Sequence, residues 1–290
     1  MSIPHLFDRR TYAHRRTHGA ESFLAKEVGE NLAERLSAVN RRFGAALDLS
    51  SRPEVFEVLA PLAGDWTRTS LGRGALIADE EALPFAAGSF DLVVSALSLH
   101  AVNDLPGALA QIRTALKPDG LLLAALFGGA TLSELRAAFA IGESEVTGGA
   151  SPRVAPMADV RELGGLLQRA GFALPVADSE KTTVHYRTFA TLVEDLRALG
   201  ETNALSERRR SPLRRDVLAA TLASYASSNA DAEGRLVATF EVIYLTAWAP
   251  HPSQPKPLKP GSAAKRLADA LHTDEISAGE RAGPAKPEDA

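Results

Sequence analysis

The chain has 290 residues, 45% hydrophobic and 23% charged, so it can bury a core and is neither disordered throughout nor fibrous. It has no cysteine, which excludes disulfides, a thiol nucleophile and cysteine-bound zinc or iron–sulfur centres. A net charge of -4 argues against a nucleic-acid binder, and no apolar run approaches the roughly 20 residues of a membrane span.

Residues 1–20 read as a polar, basic segment. Arg9, Arg10, Arg15 and Arg16 are followed by no apolar stretch, so no export signal is expected. Residues 21–42 have helical spacing, with Phe23, Val28, Leu32, Leu36 and Val39 on one face. Residues 45–49 form a short buried strand. Residues 53–63 form a helix, which Ser51 and Glu54 open in the pattern of a capping box. Short strands follow at 66–71 and 75–78. Residues 90–99 form a strand that is apolar on both faces, the mark of a parallel sheet covered by helices.

The spacing next predicts a helix at 105–116, a turn at Pro118-Asp119-Gly120 and a buried strand at 121–127. Helices are predicted at 131–139, 158–170, 188–199 and 213–227. Strands are predicted at 172–177, 182–186 and 235–248. From Pro250 onward the chain gathers seven of its 17 prolines among Lys, Ser, Gly and Ala, so residues 250–290 are expected to be a disordered tail. The expected organisation is a basic segment and helix over 1–42, an α/β domain over 43–249 and that tail. Alternating strands and helices give a mostly parallel, Rossmann-like sheet with helices on both faces. Ligands of such sheets sit at the carboxyl ends of the strands.

Those ends fall at Ser50 to Glu54, Asp79 to Glu81, Ser98 to Asp104 and Phe127 to Gly129. Ala78-Asp79-Glu80-Glu81-Ala82-Leu83-Pro84-Phe85, Phe90-Asp91-Leu92-Val93-Val94-Ser95 and Leu116-Lys117-Pro118-Asp119-Gly120 resemble the class I S-adenosylmethionine (SAM)-dependent methyltransferase superfamily. A narrower set is Phe7-Asp8-Arg9, Ser98-Leu99-His100-Ala101-Val102-Asn103-Asp104, Phe127-Gly128-Gly129-Ala130-Thr131-Leu132, Glu194-Asp195-Leu196-Arg197 and Gly200-Glu201-Thr202-Asn203. It resembles the methyltransferase-fold assembly factor 5 of respiratory complex I and its alphaproteobacterial relatives. That resemblance implies a cytoplasmic bacterial protein, peripheral to the inner membrane, with a protein client among the complex I subunits. It implies SAM as the ancestral cofactor, although the animal member is described as an arginine hydroxylase. By position it assigns cofactor contacts to Asp48, Ser50, Asp79, Glu80 and Ser95. It leaves the catalytic residue open, with His100 the candidate, and no metal site is expected.

The sequence departs from the superfamily in two places. The cofactor loop of the superfamily reads Asp-x-Gly-x-Gly-x-Gly, whose glycines let the backbone approach the ligand. Here Asp48-Leu49 is followed by Ser50-Ser51-Arg52-Pro53-Glu54, with no glycine and with Glu54 where the methionine carboxylate would approach. Only 30 residues separate Asp48 from Asp79. A full helix–strand–helix–strand unit needs about 40 or more, so the second strand–helix unit is expected to be truncated. No acid stands between Trp66 and Ile77 to hold a ribose. SAM is therefore expected to bind weakly or not at all.

Each candidate also has a plainer reading. Asp79 serves either an adenine or a turn. Glu80 and Glu81 are an acid–base pair or, preferably, a solvated acidic turn. His100 is a general base or a packed, hydrogen-bonded histidine. Asn103 and Asp104 read as helix caps, and the arginines between 208 and 215 as a charged helix face. His100, Asp104 and the distant His185 make an unconvincing iron site. Two other functions remain open: a non-catalytic assembly module on the same fold, and a small-molecule enzyme resembling the malonyl-carrier-protein methyltransferase of biotin synthesis.

Overall fold

A computed structural model describes residues 5–50, 52–72, 76–255, 269 and 272–274. The chain forms one unit over Met1–His251 and a second over Pro252–Ala290. Most of the tail expected at 250–290 lies outside the described residues, and the sheet with its helices belongs to the first unit.

The helices are α1 (Arg9–Thr17), α2 (Phe23–Ser37), α3 (Pro53–Leu59), α4 (Leu105–Ala115), α5 (Ser133–Thr147), α6 (Val160–Arg169), α7 (Phe189–Ala198) and α8 (Arg215–Asn229). The strands are β1 (Phe43–Asp48), β2 (Ala63–Arg68), β3 (Phe90–Ala96), β4 (Leu116–Phe127), β5 (Ala173–Tyr186) and β6 (Leu236–Trp248). They form one sheet in the order β2-β1-β3-β4-β6-β5. The first four strands run parallel, and β6 runs antiparallel to both β4 and β5.

Successive strand side chains point to opposite faces, and the core divides accordingly. Leu92, Val94, Leu121, Leu123 and Phe127 pack with α2, α3 and α5 on one face. Val93, Leu122, Ala124 and Leu126 pack with Leu109 and Ile112 of α4 and Leu163 and Leu167 of α6 on the other. Helices thus cover both faces, as the all-apolar strands required.

The second strand–helix unit of the sheet is truncated as expected. After β2, the described residues form no helix before β3 begins at Phe90. Of the short strand expected at 75–78, residue 75 lies outside the described residues, as do 73 and 74; among the described residues Ile77 makes a single parallel bridge to Ser70 and no strand forms. β2 is therefore the sheet edge. Its carboxyl end carries Arg68, which pairs in register with Asp48, while Asp65 sits opposite Ala45 near the other end.

Four further expectations need correction. The basic segment contains a helix, α1, capped by Asp8, whose carboxylate accepts from Thr11 N at 3.0 Å. The N-cap of α3 is Arg52, with no side-chain capping bond, and Ser51 lies outside the described residues. The strands expected at 172–177 and 182–186 are one strand, β5, whose polar middle is paired with β6 on one side only. The turn at Pro118-Asp119-Gly120 lies inside β4. Asp119 takes a φ of +63° there and the register shifts, while the backbone stays tied to Ala249.

Candidate functional site

The carboxyl ends of β1, β3 and β4 meet at a crevice, and α1 lies across it. Its amino end is fixed by Phe7 N on Asn103 Oδ1 at 2.8 Å and by Asp8 N on Ala204 O at 2.8 Å. Residues on successive turns then reach down to the strand ends. Arg9 donates to Ala101 O at 2.9 Å, to Asp79 Oδ1 at 2.7 Å and to Glu80 Oε2 at 2.5 Å. Tyr12 Oη has Leu97 O at 3.2 Å and Glu201 Oε1 at 3.1 Å, and its one proton serves one of them at a time. Arg16 donates to Leu97 O, to Glu201 Oε1 at 3.3 Å and to Ser50 O at 3.0 Å.

Glu201 is the hub of this cluster. It follows Gly200, whose φ is +70°. A Cβ on Gly200 would stand 2.9 Å from Arg16 Cα, so only glycine lets this loop approach α1 so closely. Glu201 Oε2 lies 3.0 Å from His100 Nε2, and Arg52 lies 3.9 Å from Oε1. Burial alone would raise the Glu201 pKa, but His100, Arg16 and Arg52 outweigh it and hold the group at about 2. Burial, with Arg16 nearby, pushes the Arg52 guanidinium down to about 10. Burial pushes the Tyr12 phenol well above its usual value, so it stays a protonated donor. Glu201 holds the His100 imidazole through Nε2. That leaves Nδ1, which is buried and without a partner, as the ring nitrogen free to hydrogen-bond a ligand.

Two cavities flank α1. The first, about 440 Å³, is lined by Arg16, Ser50, Arg52, Glu54, Glu80 and Ser98 among others. The second, about 670 Å³, is lined by Tyr12, Arg15, His100 and Glu201 together with aromatic residues such as Phe127 and Phe139.

Among the residues assigned by position, Ser50 and Glu80 line the first cavity and His100 the second. Asp48, Asp79 and Ser95 line neither. Asp48 accepts from Ser50 N at 2.8 Å, and Ser95 Oγ meets Ser98 Oγ at 2.8 Å. Asp79 accepts from Arg9 and from Glu81 N at 3.0 Å. The acidic turn is not solvated as expected: the Glu80 side chain is 2% exposed and paired with Arg9, and Glu81 accepts from Asn103 N.

Asp104 caps α4 through Gly107 N at 2.9 Å, whereas Asn103 caps nothing and anchors Phe7 instead. Arg208, Arg209 and Arg210 lie in the loop before α8 rather than on a helix face. Arg208 pairs with Asp8 at 2.9 Å, and Arg209 with buried Glu143 at 3.4 Å. His185 pairs with Asp231, away from His100. Among the described residues no three His, Asp or Glu side chains are grouped to hold a metal, and no helix is long and apolar enough to cross a membrane.

Sequence reasoning gave no role to Arg9, Tyr12, Arg16, Arg52 or Glu201. The only available signal was that Phe7-Asp8-Arg9 and Gly200-Glu201-Thr202-Asn203 belong to the family motifs.

The methyltransferase domain family matches residues 59–124. The protein YcgJ from Bacillus subtilis shares the fold, with a TM-score of 0.53 at 11% identity, covering 77% of this chain and 99% of that one. Malonyl-(acyl-carrier protein) O-methyltransferase from Methylovorus sp. (strain MP688) is 35% identical over 259 residues, 81% of this chain and 85% of the relative. Arginine-hydroxylase NDUFAF5 from Danio rerio is 39% identical over 262 residues, 85% of this chain and 81% of the relative. With that identity sustained along both chains, on a sheet of methyltransferase type, the chain belongs to the NDUFAF5 family of methyltransferase-fold proteins.

Proposed function

We propose that this chain binds a protein client during assembly of NADH:ubiquinone oxidoreductase, and that its cofactor crevice is held by its own arginines rather than by SAM. In this reading it works from the cytoplasmic side, against the inner membrane where that complex is built. The observation that carries the reading is α1, whose Arg9 and Arg16 are paired with Glu80 and Glu201 across the strand ends.

The residues present do not fit SAM. A ribose needs a carboxylate at the end of β2, and Arg68 stands there, stacked over the Phe56 ring at 3.9 Å. The Asp79 carboxylate is engaged by Arg9. The loop after β1 offers Pro53, which has no N–H, and the buried cation Arg52. Each lost charge-assisted hydrogen bond is worth roughly 1.5–3 kcal/mol. Two or three such losses weaken binding about a hundredfold or more.

Calorimetric titration with SAM and with its demethylated product is expected to show no saturable binding at micromolar concentrations. Micromolar affinity for SAM, abolished by Asp79→Ala, would restore an ordinary methyltransferase. The client half of the reading has its own test. Deleting the gene is expected to lower assembled NADH:quinone oxidoreductase before other pathways change. Normal levels of that complex together with biotin auxotrophy would point instead to the malonyl-carrier-protein reaction.

A further inference from the structure

The second cavity has both an apolar and a charged lining. The apolar lining is Phe127 at the end of β4, Leu132 and Leu135 at the start of α5, Phe139, Phe189 and Phe240. The polar lining comes from a face of α1 and from the loops around it, with His100 against Phe127 at 5.0 Å between centroids. Arg15 and Tyr12, three residues apart on α1, share that face. The Tyr12 ring stands edge-on to His100 with centroids 6.2 Å apart.

The charge on the lining is one-sided. Arg15, Arg153, Arg197, Arg208, Arg209 and Arg210 face the cavity, and Glu201 is the carboxylate among the described residues that does so. Both oxygens of Glu201 are already used, by His100, Tyr12 and Arg16. Arg153 and Arg209 are paired with Glu143, and Arg208 with Asp8.

Arg197 and Arg210 form no ion pair among the described residues either, but both are exposed and solvated. Two less exposed groups are left over. Arg15 forms no ion pair among the described residues, and its Nη1 is buried without a partner. Burial and the neighbouring Arg208 both work against its charge. His100 Nδ1 has no partner either, on a side chain only 2% exposed. An arginine or lysine side chain entering here would meet like charge. An uncharged ligand would leave Arg15 without an ion pair, since the nearby Asp8 is already paired with Arg208.

We propose that this cavity binds a small organic acid, with its carboxylate held between Arg15 and His100 and its apolar body lying on Phe127, Phe139, Phe189 and Phe240. A planar carboxylate matches the guanidinium fork and accepts its N–H groups. The volume, about 670 Å³, is that of a small-molecule site. The assignment stands on the cavity alone and does not depend on the client reading.

The test is calorimetric titration of the full chain with decanoate, decylamine and 1-decanol at neutral pH. Saturable binding of one decanoate is expected, with the amine and the alcohol at least tenfold weaker. Because this comparison uses the unaltered chain, it does not depend on any variant folding. Arg15→Met is expected to weaken decanoate at least tenfold, and Leu135→Trp to fill the cavity and abolish binding. Arg214→Met, in an exposed pair outside the cavity, is expected to change nothing. Absence of saturable decanoate binding, equal binding of decanol, or unchanged affinity in a folded Arg15→Met protein would overturn the proposal.

Discussion

Replacing Glu201 by alanine is expected to lower the free energy of unfolding by about 3–5 kcal/mol, the usual loss when one partner of a buried ion pair is removed. Glu201 is 11% exposed, while Arg16 and Arg52 beside it are 10% and 8% exposed. Without the carboxylate these two cations face one another in a poorly solvated crevice, and the His100 and Tyr12 side chains lose a shared acceptor. Since a domain is stable by only about 5–15 kcal/mol, the loss would show clearly in urea denaturation followed by circular dichroism. The exposed Asp216→Ala, which removes a surface partner of Arg214, is expected to leave the midpoint unchanged. Adding Arg52→Met to Glu201→Ala should recover part of the loss, because it removes a stranded cation. A double-mutant cycle measures that coupling. If Glu201→Ala moves the midpoint no further than Asp216→Ala does, the cluster does not hold α1 in place.

The parts of this molecule that were legible in the sequence are those written in hydrophobic period. β3 and β4 alternate their apolar side chains between two cores, and α2 buries Val28, Leu32 and Leu36 of the expected face, with Leu24 buried where Phe23 was expected and Phe23 itself 47% exposed. The shortened second unit could be counted directly from the 30 residues between Asp48 and Asp79. α1 carries no such signal. Its sequence RRTYAHRRT has Tyr12 as its only large buried side chain, and its other contacts are ion pairs and arginine hydrogen bonds to backbone carbonyls. A helix held by charge looks, in one dimension, like a solvated basic segment.

Glu201 was hidden for a related reason. It lies 101 residues from His100 and 185 from Arg16, so no local spacing joins them. β5 was read as two strands because Asp178, Glu180 and Lys181 interrupt it. At a sheet edge those side chains face water or a neighbour, and Arg35 pairs with both acids.

The same charge pattern makes acid stability the second large effect. Burial would raise the pKa of Glu201, yet His100, Arg16 and Arg52 bring it from 4.5 to about 2. Glu143 behaves alike: burial is outweighed by Arg153 and Ser151, which hold it at about 2. Asp8 is held below the usual carboxylate range, chiefly by the Thr11 backbone N–H, with further help from the Thr11 hydroxyl and Arg208. In each case the folded pKa lies below the unfolded one, so the unfolded chain binds more protons in the interval between them. The stabilisation is complete above about pH 4.5 and is lost as pH falls toward about 2. For Glu201 alone that interval corresponds to about 3 kcal/mol.

Urea midpoints measured from pH 6 to pH 2.5 should therefore fall steeply for the unaltered chain. Glu201→Gln should start lower at pH 6 and fall less, because the substituted group no longer takes up a proton on unfolding. The two curves should converge near the acid end. Parallel curves would mean that Glu201 titrates alike in both states, and that the pairing of α1 to the strand ends contributes nothing to folding. Convergence would identify Glu201 as the charge that fastens α1 over the crevice.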